Sequence, residues 1–579
     1  MVYPGETTSG VGTRVLFVPY RPPRSSKQVP DDSEISLQKH AAREYHRKAK
    51  LERLAKAYAG SRPPPGPQEA LRKSARQGPQ GNAQNDCFDK GKHQRLSGMN
   101  AFRIRTEASS NSVCPSPLDV GVGQMDPFNV LMRRDVPHYV QEMLAHAVSY
   151  QWPVFSCSIA ATAISDIKHT ILESAMRSPA AFYTIVYAGA THNAFAHTGM
   201  QVTRENQILR LTYKMHAIKA LNQEISRLQS DIPDELLLCM VTLGAHGSGE
   251  TLLPRPYRTA DSSLLTAQNF HYYGHMDWET AHLNAVRILV EQRGGFHTIK
   301  QEFLSNVIAL ADVIDAFKNL RAPAYPLRIS TARMMAIWPY PDTKALRPLL
   351  QDLATGFGAL PESIQVDPLM QIIHAIRDVS IGYDLYLEQS PSAPRHIHIV
   401  WGRNTLLHDL LSLPDKSFDD PLHPDPCLYD MCRLSTLSYM LLVLFPLPGV
   451  SGLHYTLSQR IKSALDSCFI FRLWQQYPEL SLWGMVLGGI LAEETALRLW
   501  FVQASASICR ERTWQSWDSA KNVCSKFLWF EQDCDQAGQA FWAEVSEHVE
   551  PIAATQDDNE GWSRGDKARF EVAELSPTT

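Results

Sequence analysis

The chain has 579 residues, 44% of them hydrophobic and 20% charged, with a net charge of −4. That composition fits a folded globular protein and excludes collagen-like, disulfide-scaffold and wholly disordered classes. The charge is uneven: residues 39–76 hold eleven Lys or Arg and three acidic residues, net +8, which leaves −12 on the remainder. A basic arm on an acidic body points that arm at a polyanion or an acidic partner.

Residues 1–30 are rich in Gly, Pro, Ser and Thr and lack periodicity, so a disordered N-terminus is expected. Residues 31–60 read as one helix. Asp31, Asp32, Ser33 and Glu34 suit its start, Gly60 and Pro63–Pro65 its stop, and Glu44/Lys48 and Glu52/Lys56 are i,i+4 pairs. Its segment KHAAREYHRKAKLERLAKAY (39–58) carries seven cations: Lys39, Arg43, Arg47, Lys48, Lys50, Arg53 and Lys56. Lys39, Arg43, Arg47, Lys50 and Arg53 recur at steps of three or four, a stripe spaced to follow a phosphate backbone. A nuclear-import signal and a solvated surface helix have the same charge pattern, so three readings stand at this point. Sevens counted from Leu54 reach Ser61 and Gln68, and the prolines end the helix, which argues against a leucine zipper. Residues 61–124, rich in Pro, Gly, Gln, Asn and Ser, read as a linker.

From 125 to 548 the texture is that of amphipathic helices, and the fold class expected is all-α, a large multi-helix bundle. Leu211, Met215, Ile218, Leu221, Ile225 and Leu228 form an apolar stripe at spacings of three and four. Leu283, Val286 and Val290 repeat it before Arg293-Gly294-Gly295, read as a helix end. Asp367-Pro368 is a cap with proline at the first helical position, leading into Leu369, Ile372, Ile376, Val379 and Tyr383. HIHIV (396–400) is the best strand candidate. The apolar run Tyr439 to Phe445, closed by Pro446, reads as a buried helix. Tyr455–Gln475 and Leu480–Val502 read as further helices, and Gly488-Gly489 predicts a close helix–helix approach. Trp483, Trp500, Trp529 and Trp542 are expected to supply large buried surfaces whose indole N–H groups want acceptors. Asp535 is placed to cap the helix that carries Phe541-Trp542. An acidic tail (549–579) is expected to be disordered.

Candidate chemistry is sparse. The ten cysteines include no C-x-x-C pair, so neither a zinc cluster nor a redox pair is expected, and thiols as small apolar core residues fit a reducing, intracellular setting. His396 and His398 share one face of the presumed strand but lack matching Asp, Glu or Cys. GAHGSGE (244–250) follows a helical segment and lacks the Lys-Ser/Thr of a phosphate loop, so it reads as a helix terminus. No G-x-S-x-G or H-E-x-x-H occurs. Catalytic, cofactor and metal sites are all expected to be absent. With no apolar run of about 18 residues, no membrane association is expected.

A series of segments carries a resemblance. In order they are Asp126-Pro127-Phe128, PAAFYTIVYAGATHNAF (179–195), YKMHAIKALNQEI (213–225), DIPDELLLCMVTLGAHGSGE (231–250), HLNAVRILVEQRGGFHTI (282–299), LWGMVLGGILA (482–492), RLWF (498–501) and FLWFEQDCDQAGQAFWAEV (527–545). The series resembles the fungal-specific transcription factor domain, the helical regulatory region of many fungal zinc-cluster regulators. The resemblance implies a nuclear transcriptional regulator, often of secondary-metabolite or nutrient-utilisation genes. It also implies a helical body that contacts protein partners, self-associates or senses an effector. The cysteine-ligated DNA reader is missing, so DNA contact would fall to the arm. The alternative is a nuclear interaction or scaffold protein that partners other regulators.

Overall fold

A computed structural model describes residues 137–549, apart from 159, 199–202, 229–230, 248–261, 339–345, 417–424, 449–451, 494 and 513. All of these belong to one unit, Val113–Thr579. The arm expected at 31–60, the linker and the tail lie outside the described residues. Within them the protein is all-α, with no strand.

The longer helices are α1 (His138–His146), α2 (Ala161–Arg177), α3 (Pro179–Thr198), α4 (Arg204–Arg227), α5 (Asp234–His246), α6 (Thr280–Gln292), α7 (Glu302–Lys318), α8 (Pro368–Leu387), α9 (His396–Ser412), α10 (Asp425–Tyr439), α11 (Leu453–Ile470), α12 (Pro478–Leu491), α13 (Leu497–Glu511), α14 (Trp517–Ser525) and α15 (Glu531–Val549). Two helices are axes of the packing. In the first half α3 meets α1, α2, α4 and α5, and α5 also meets α6 and α7. In the second half α12 meets α10, α11, α13, α14 and α15. The link runs from α7 to α9, which also packs on α8 and α10. One continuous apolar core spans both halves.

Local sequence explains the ends. Asp367 accepts from the Leu369 amide at 2.9 Å, and α8 starts at Pro368 as expected. α6 stops at Gln292, and Gly294 and Gly295 take φ of 101° and 110°. Arg293 does more than face the negative helix end: its guanidinium pairs with Asp234 in the first turn of α5 and donates to the Thr298 carbonyl at 2.8 Å. α10 continues as a π-helix, Met440–Leu444. Against the expectation of no apolar run of about 18 residues, Asp425–Leu444 is long and apolar enough to cross a bilayer, but 89% of its 18-residue apolar stretch is buried inside the protein.

Some expectations fail for identifiable reasons. HIHIV opens α9 rather than forming a strand, because seventeen residues of helix outweigh a short alternation. At 100° per residue His396 and His398 then lie on different sides of the helix rather than on one face of a strand. The segment Tyr455–Gln475 breaks at Arg472, whose φ is +57°. Leu480–Val502 splits between α12 and α13, which lets Phe501 fold back against Gly488. Asp535 lies inside α15 and caps nothing; it accepts the Trp529 indole N–H at 2.8 Å and Lys521 at 2.6 Å. Most consequentially, α4 buries the stripe read from its sequence only in part: Leu221 is buried, and Ile218, Ile225 and Leu228 pack half-buried against the core. Its buried residues are Arg210, Tyr213, Lys214, Ala217, Ala220 and Leu221, while Met215 is 54% exposed.

Around α12 the packing depends on the absence of side chains. A Cβ on Gly488 would lie 2.4 Å from the Phe501 ring, and one on Gly489 2.3 Å from the Phe541 ring. Trp483 donates its indole N–H to the Leu528 carbonyl at 2.9 Å and stacks on Phe527. Trp500 is only half-buried, with the Lys462 ammonium 4.6 Å from its ring centre. Six cysteines (Cys239, Cys432, Cys468, Cys509, Cys524 and Cys534) are buried as free thiols, and burial pushes Cys239 and Cys509 up to about 12.

Gly489→Ala is expected to destabilise the protein by about 1–3 kcal/mol through overpacking against Phe541. Gly358→Ala, where an added Cβ meets nothing within 4 Å, should stay within about 0.5 kcal/mol of the parent. Urea denaturation midpoints of the two variants test the difference.

Candidate functional site

Lys39, Arg43, Arg47, Lys48, Lys50, Arg53 and Lys56, the cations expected to touch DNA, all lie outside the described residues. The described body presents a different concentration of polar chemistry, one that no spacing in the sequence announced. It sits where α1, α3, α4 and α5 meet the turn of helix Phe270–Tyr273.

α5 is buried along all thirteen residues, so its C-terminus ends inside the protein and its last carbonyls need partners. Gly247 closes it with φ +51°, and a Cβ there would fall 1.3 Å from the Asp277 carbonyl oxygen. Lys214, 3% exposed on the inner face of α4, donates to the Gly247 carbonyl and pairs with Glu279 at 3.2 Å. A cation at a helix C-terminus is favourably placed against the dipole.

His246, the last residue of α5, is 1% exposed. Its Nδ1 lies 2.7 Å from the Thr242 carbonyl, which only accepts, so Nδ1 carries the proton. Nε2 is therefore an acceptor, filled by the Tyr272 hydroxyl at 2.8 Å, with the Gln151 amide at 3.3 Å. Burial lowers the His246 pKa to about 3, and burial also lowers His192 and His275. Burial raises Tyr272 and Tyr273 above the ordinary phenol value. None of His246, Tyr272 or Tyr273 is poised to exchange a proton near neutrality. Beside them His146 and His192 share a hydrogen bond of 2.8 Å. Arg210, 2% exposed, donates from Nε to Thr191 at 3.1 Å, and its guanidinium lies 5.4 Å from the Phe195 ring centre.

A cavity adjoins this cluster between α5 and α7. Phe155, Trp278, Leu310 and Ile314 are among the residues of its apolar wall, and Tyr273 and His246 stand at its polar edge. Its volume is about 30 Å³, enough for a water molecule or two and too little for a metabolite. Among the described residues no group of three His, Cys, Asp or Glu is arranged to hold a metal.

A second buried cation lies between the halves. Arg403 of α9 is 0% exposed and donates Nη1 to the carbonyls of Leu264, at 2.6 Å, and Leu444, at 3.0 Å. Its guanidinium packs on Phe270 and Phe445, with centroids at 4.3 and 5.3 Å. Burial pulls its pKa down to about 9, so it stays charged at neutral pH. Next to it Asn404 donates to Gln268 at 3.1 Å.

Acid should act on the histidine cluster first. A buried histidine whose pKa is lowered binds fewer protons folded than unfolded, so its stabilising effect is full above about pH 6.5 and is lost as pH falls toward the folded value. For His246 the window runs from about 6.5 down to about 3. Between pH 7 and pH 5 the unfolding free energy is expected to drop by on the order of 1–2 kcal/mol from this residue alone. A His246→Gln variant whose unfolding free energy changes with pH over that range just as the parent's does would rule out a neutral, buried His246.

Comparison with known proteins agrees with this architecture. No curated protein and no solved structure matches the chain. The family model described as the fungal specific transcription factor domain matches residues 150–550, nearly the whole described body from the end of α1 to the end of α15. The chain belongs to the fungal specific transcription factor domain family.

Proposed function

We propose that this protein is a nuclear transcriptional regulator whose helical body contacts protein partners or itself and whose basic arm, residues 31–60, contacts DNA. The observation that carries the reading is the family match over 150–550 in a chain whose N-terminal portion concentrates a charge of +8 within 39–76. The body is a folded core in which Lys214, His246, Arg210 and Arg403 tie one chain segment to another, as suits a regulatory scaffold. The family match favours a non-enzymatic role. Lys39, Arg43, Arg47, Lys48, Lys50, Arg53 and Lys56 would neutralise phosphates, and control of a metabolic or secondary-metabolite gene cluster is the proposed outcome.

The second reading is a nuclear interaction protein that does not bind DNA and partners other regulators. Its support is a surface at the end of α11. Ile470 is 78% exposed there, beside Phe469, whose ring lies 6.1 Å from Trp474 and 6.4 Å from Trp500. Aromatic residues of this kind are enriched at protein interfaces.

Titration of the full chain onto several duplexes across a salt series separates the two. Replacing Lys39, Arg43, Arg47, Lys50 and Arg53 with Ala should weaken binding by about tenfold or more. It should also flatten the slope of log K against log salt by about 0.9 for each phosphate that the variant no longer neutralises. Binding that persists near physiological salt, prefers one sequence and vanishes in the variant makes the arm a DNA reader. Binding that disappears with salt whatever the sequence assigns the arm to import or tethering and favours the second reading.

A further inference from the structure

The outer side of α13 is apolar at its start and cationic at its end. Leu499 is 54% exposed, and the half-buried Trp500 beside it has the Phe469 ring of α11 at 6.4 Å. Ile470, next to Phe469, is exposed as well. From Leu499 the exposed residues Gln503, Ser507 and Arg510 follow at steps of four, four and three, so they share one side of the helix. Arg512, one residue past the end of α13, donates Nη2 to the Gln475 carbonyl at 3.4 Å. That contact ties the cationic end to the short helix Leu473–Gln476, which Arg472 precedes. Arg472, Arg510 and Arg512 are all exposed, and among the described residues none of the three pairs with a carboxylate. The acids on α11 and α13 are Asp466, already paired with Lys462 at 2.5 Å, and Glu511.

A surface with this order suits a strip of chain that is apolar first and acidic next. The chain's own continuation has that order. Residues 550–560, which lie outside the described residues, read EPIAATQDDNE: four acids, no Lys or Arg, Ile552 near the start and Asp557, Asp558 and Glu560 after it. The two spacings agree. Leu499 to Arg510 is eleven residues of helix, about 16–17 Å. Ile552 to Asp557 is five residues of extended chain, also about 16–17 Å. We propose that residues 552–560 lie extended along this side of α13, with Ile552 against Leu499 and Trp500 and with Asp557, Asp558 and Glu560 against Arg510, Arg512 and Arg472.

Two features select the tail over a separate molecule. The first is where it starts. Arg498 in the first turn of α13 donates to Glu544 of α15 at 2.7 Å, and α15 ends at Val549, five residues on and about 8 Å along its axis. The tail therefore leaves the body close to the apolar end of the surface, and a tethered segment binds at a high effective concentration. The second is charge: four acids without a cation meet three arginines without a carboxylate. The surface overlaps the one that supports the interaction reading above. The contact involves neither a partner nor DNA, so it can fail while both readings of the function stand.

A glutamate-specific protease applied to the full chain tests the contact, with cleavage after Glu560 read by intact mass. The synthetic peptide 550–579 gives the rate for an uncovered tail. Glu560 in the full chain is expected to be cut about tenfold or more slowly than in the peptide, because cleavage then waits on the small fraction of released tail. Arg510→Glu with Arg512→Glu should return cleavage to the peptide rate. The helical circular dichroism should not change, since both arginines are exposed on the body. Adding Asp557→Arg and Asp558→Arg to that variant should restore protection relative to the matching peptide, as a charge swap across one contact does. Cleavage of the parent at the peptide rate overturns the proposal and leaves the surface to another molecule. Protection that the arginine variant leaves intact, or that the swap does not restore, overturns it too. Protection that fades on dilution would place the tail on a second copy and overturns the contact within one chain.

Discussion

Arg403 carries a full charge at the centre of the protein with none of its surface exposed. Taking a guanidinium out of water costs several kcal/mol, and here the return comes from two carbonyls and two aromatic faces rather than from a carboxylate. Each charge-assisted hydrogen bond contributes about 1.5–3 kcal/mol. The carbonyls belong to Leu264, ahead of the polar cluster of the first half, and Leu444, at the end of the π-helix in the second. The rings belong to the same two segments, Phe270 and Phe445, and pack on each other at 4.5 Å. One side chain from α9 therefore fixes two chain segments that have no regular ladder of hydrogen bonds between them. The π-helix takes part in this: its closing contact, from the Phe445 amide to the Met440 carbonyl, belongs to the wider turn that presents the Leu444 carbonyl to Arg403.

The same principle governs the first half. His246, Lys214 and Arg210 are all polar groups inside a helical core, and each is answered by a group whose position depends on a different helix. Lys214 holds the end of α5 from α4, His246 holds the Phe270–Tyr273 turn from α5, and Arg210 reaches Thr191 of α3 from α4. Polar burial of this kind sets which helix faces which, because a rotation about any one axis strands a charge.

That is also why the sequence was legible in some places and not in others. Helix class, the Asp367-Pro368 start, the Gly294-Gly295 stop and the Gly488-Gly489 approach depend on local residue chemistry, and each could be read directly. The inner face of α4 could not, because Arg210 and Lys214 count as outward residues in any hydrophobic pattern, and only partners far along the chain make their burial tolerable. HIHIV misled for a related reason: its alternation is local, while its helical state is set by the seventeen residues it opens. The His246 cluster left a trace in the aromatic and histidine density of FHYYGH (270–275), but no spacing in it pointed to a shared hydrogen-bond network. The basic arm is a reading of charge and spacing and lies outside the described residues.

The glycines of α12 bear on how this core can change over generations. The Phe541 ring occupies the volume a side chain on Gly489 would need, so the two positions are not independent. Trimming the ring alone leaves a cavity, and adding a methyl alone forces a clash, yet the two together refill the same space. Viable sequences near the centre of this fold are thus reached through paired substitutions, and a chain that acquires one member of a pair is placed to retain the other.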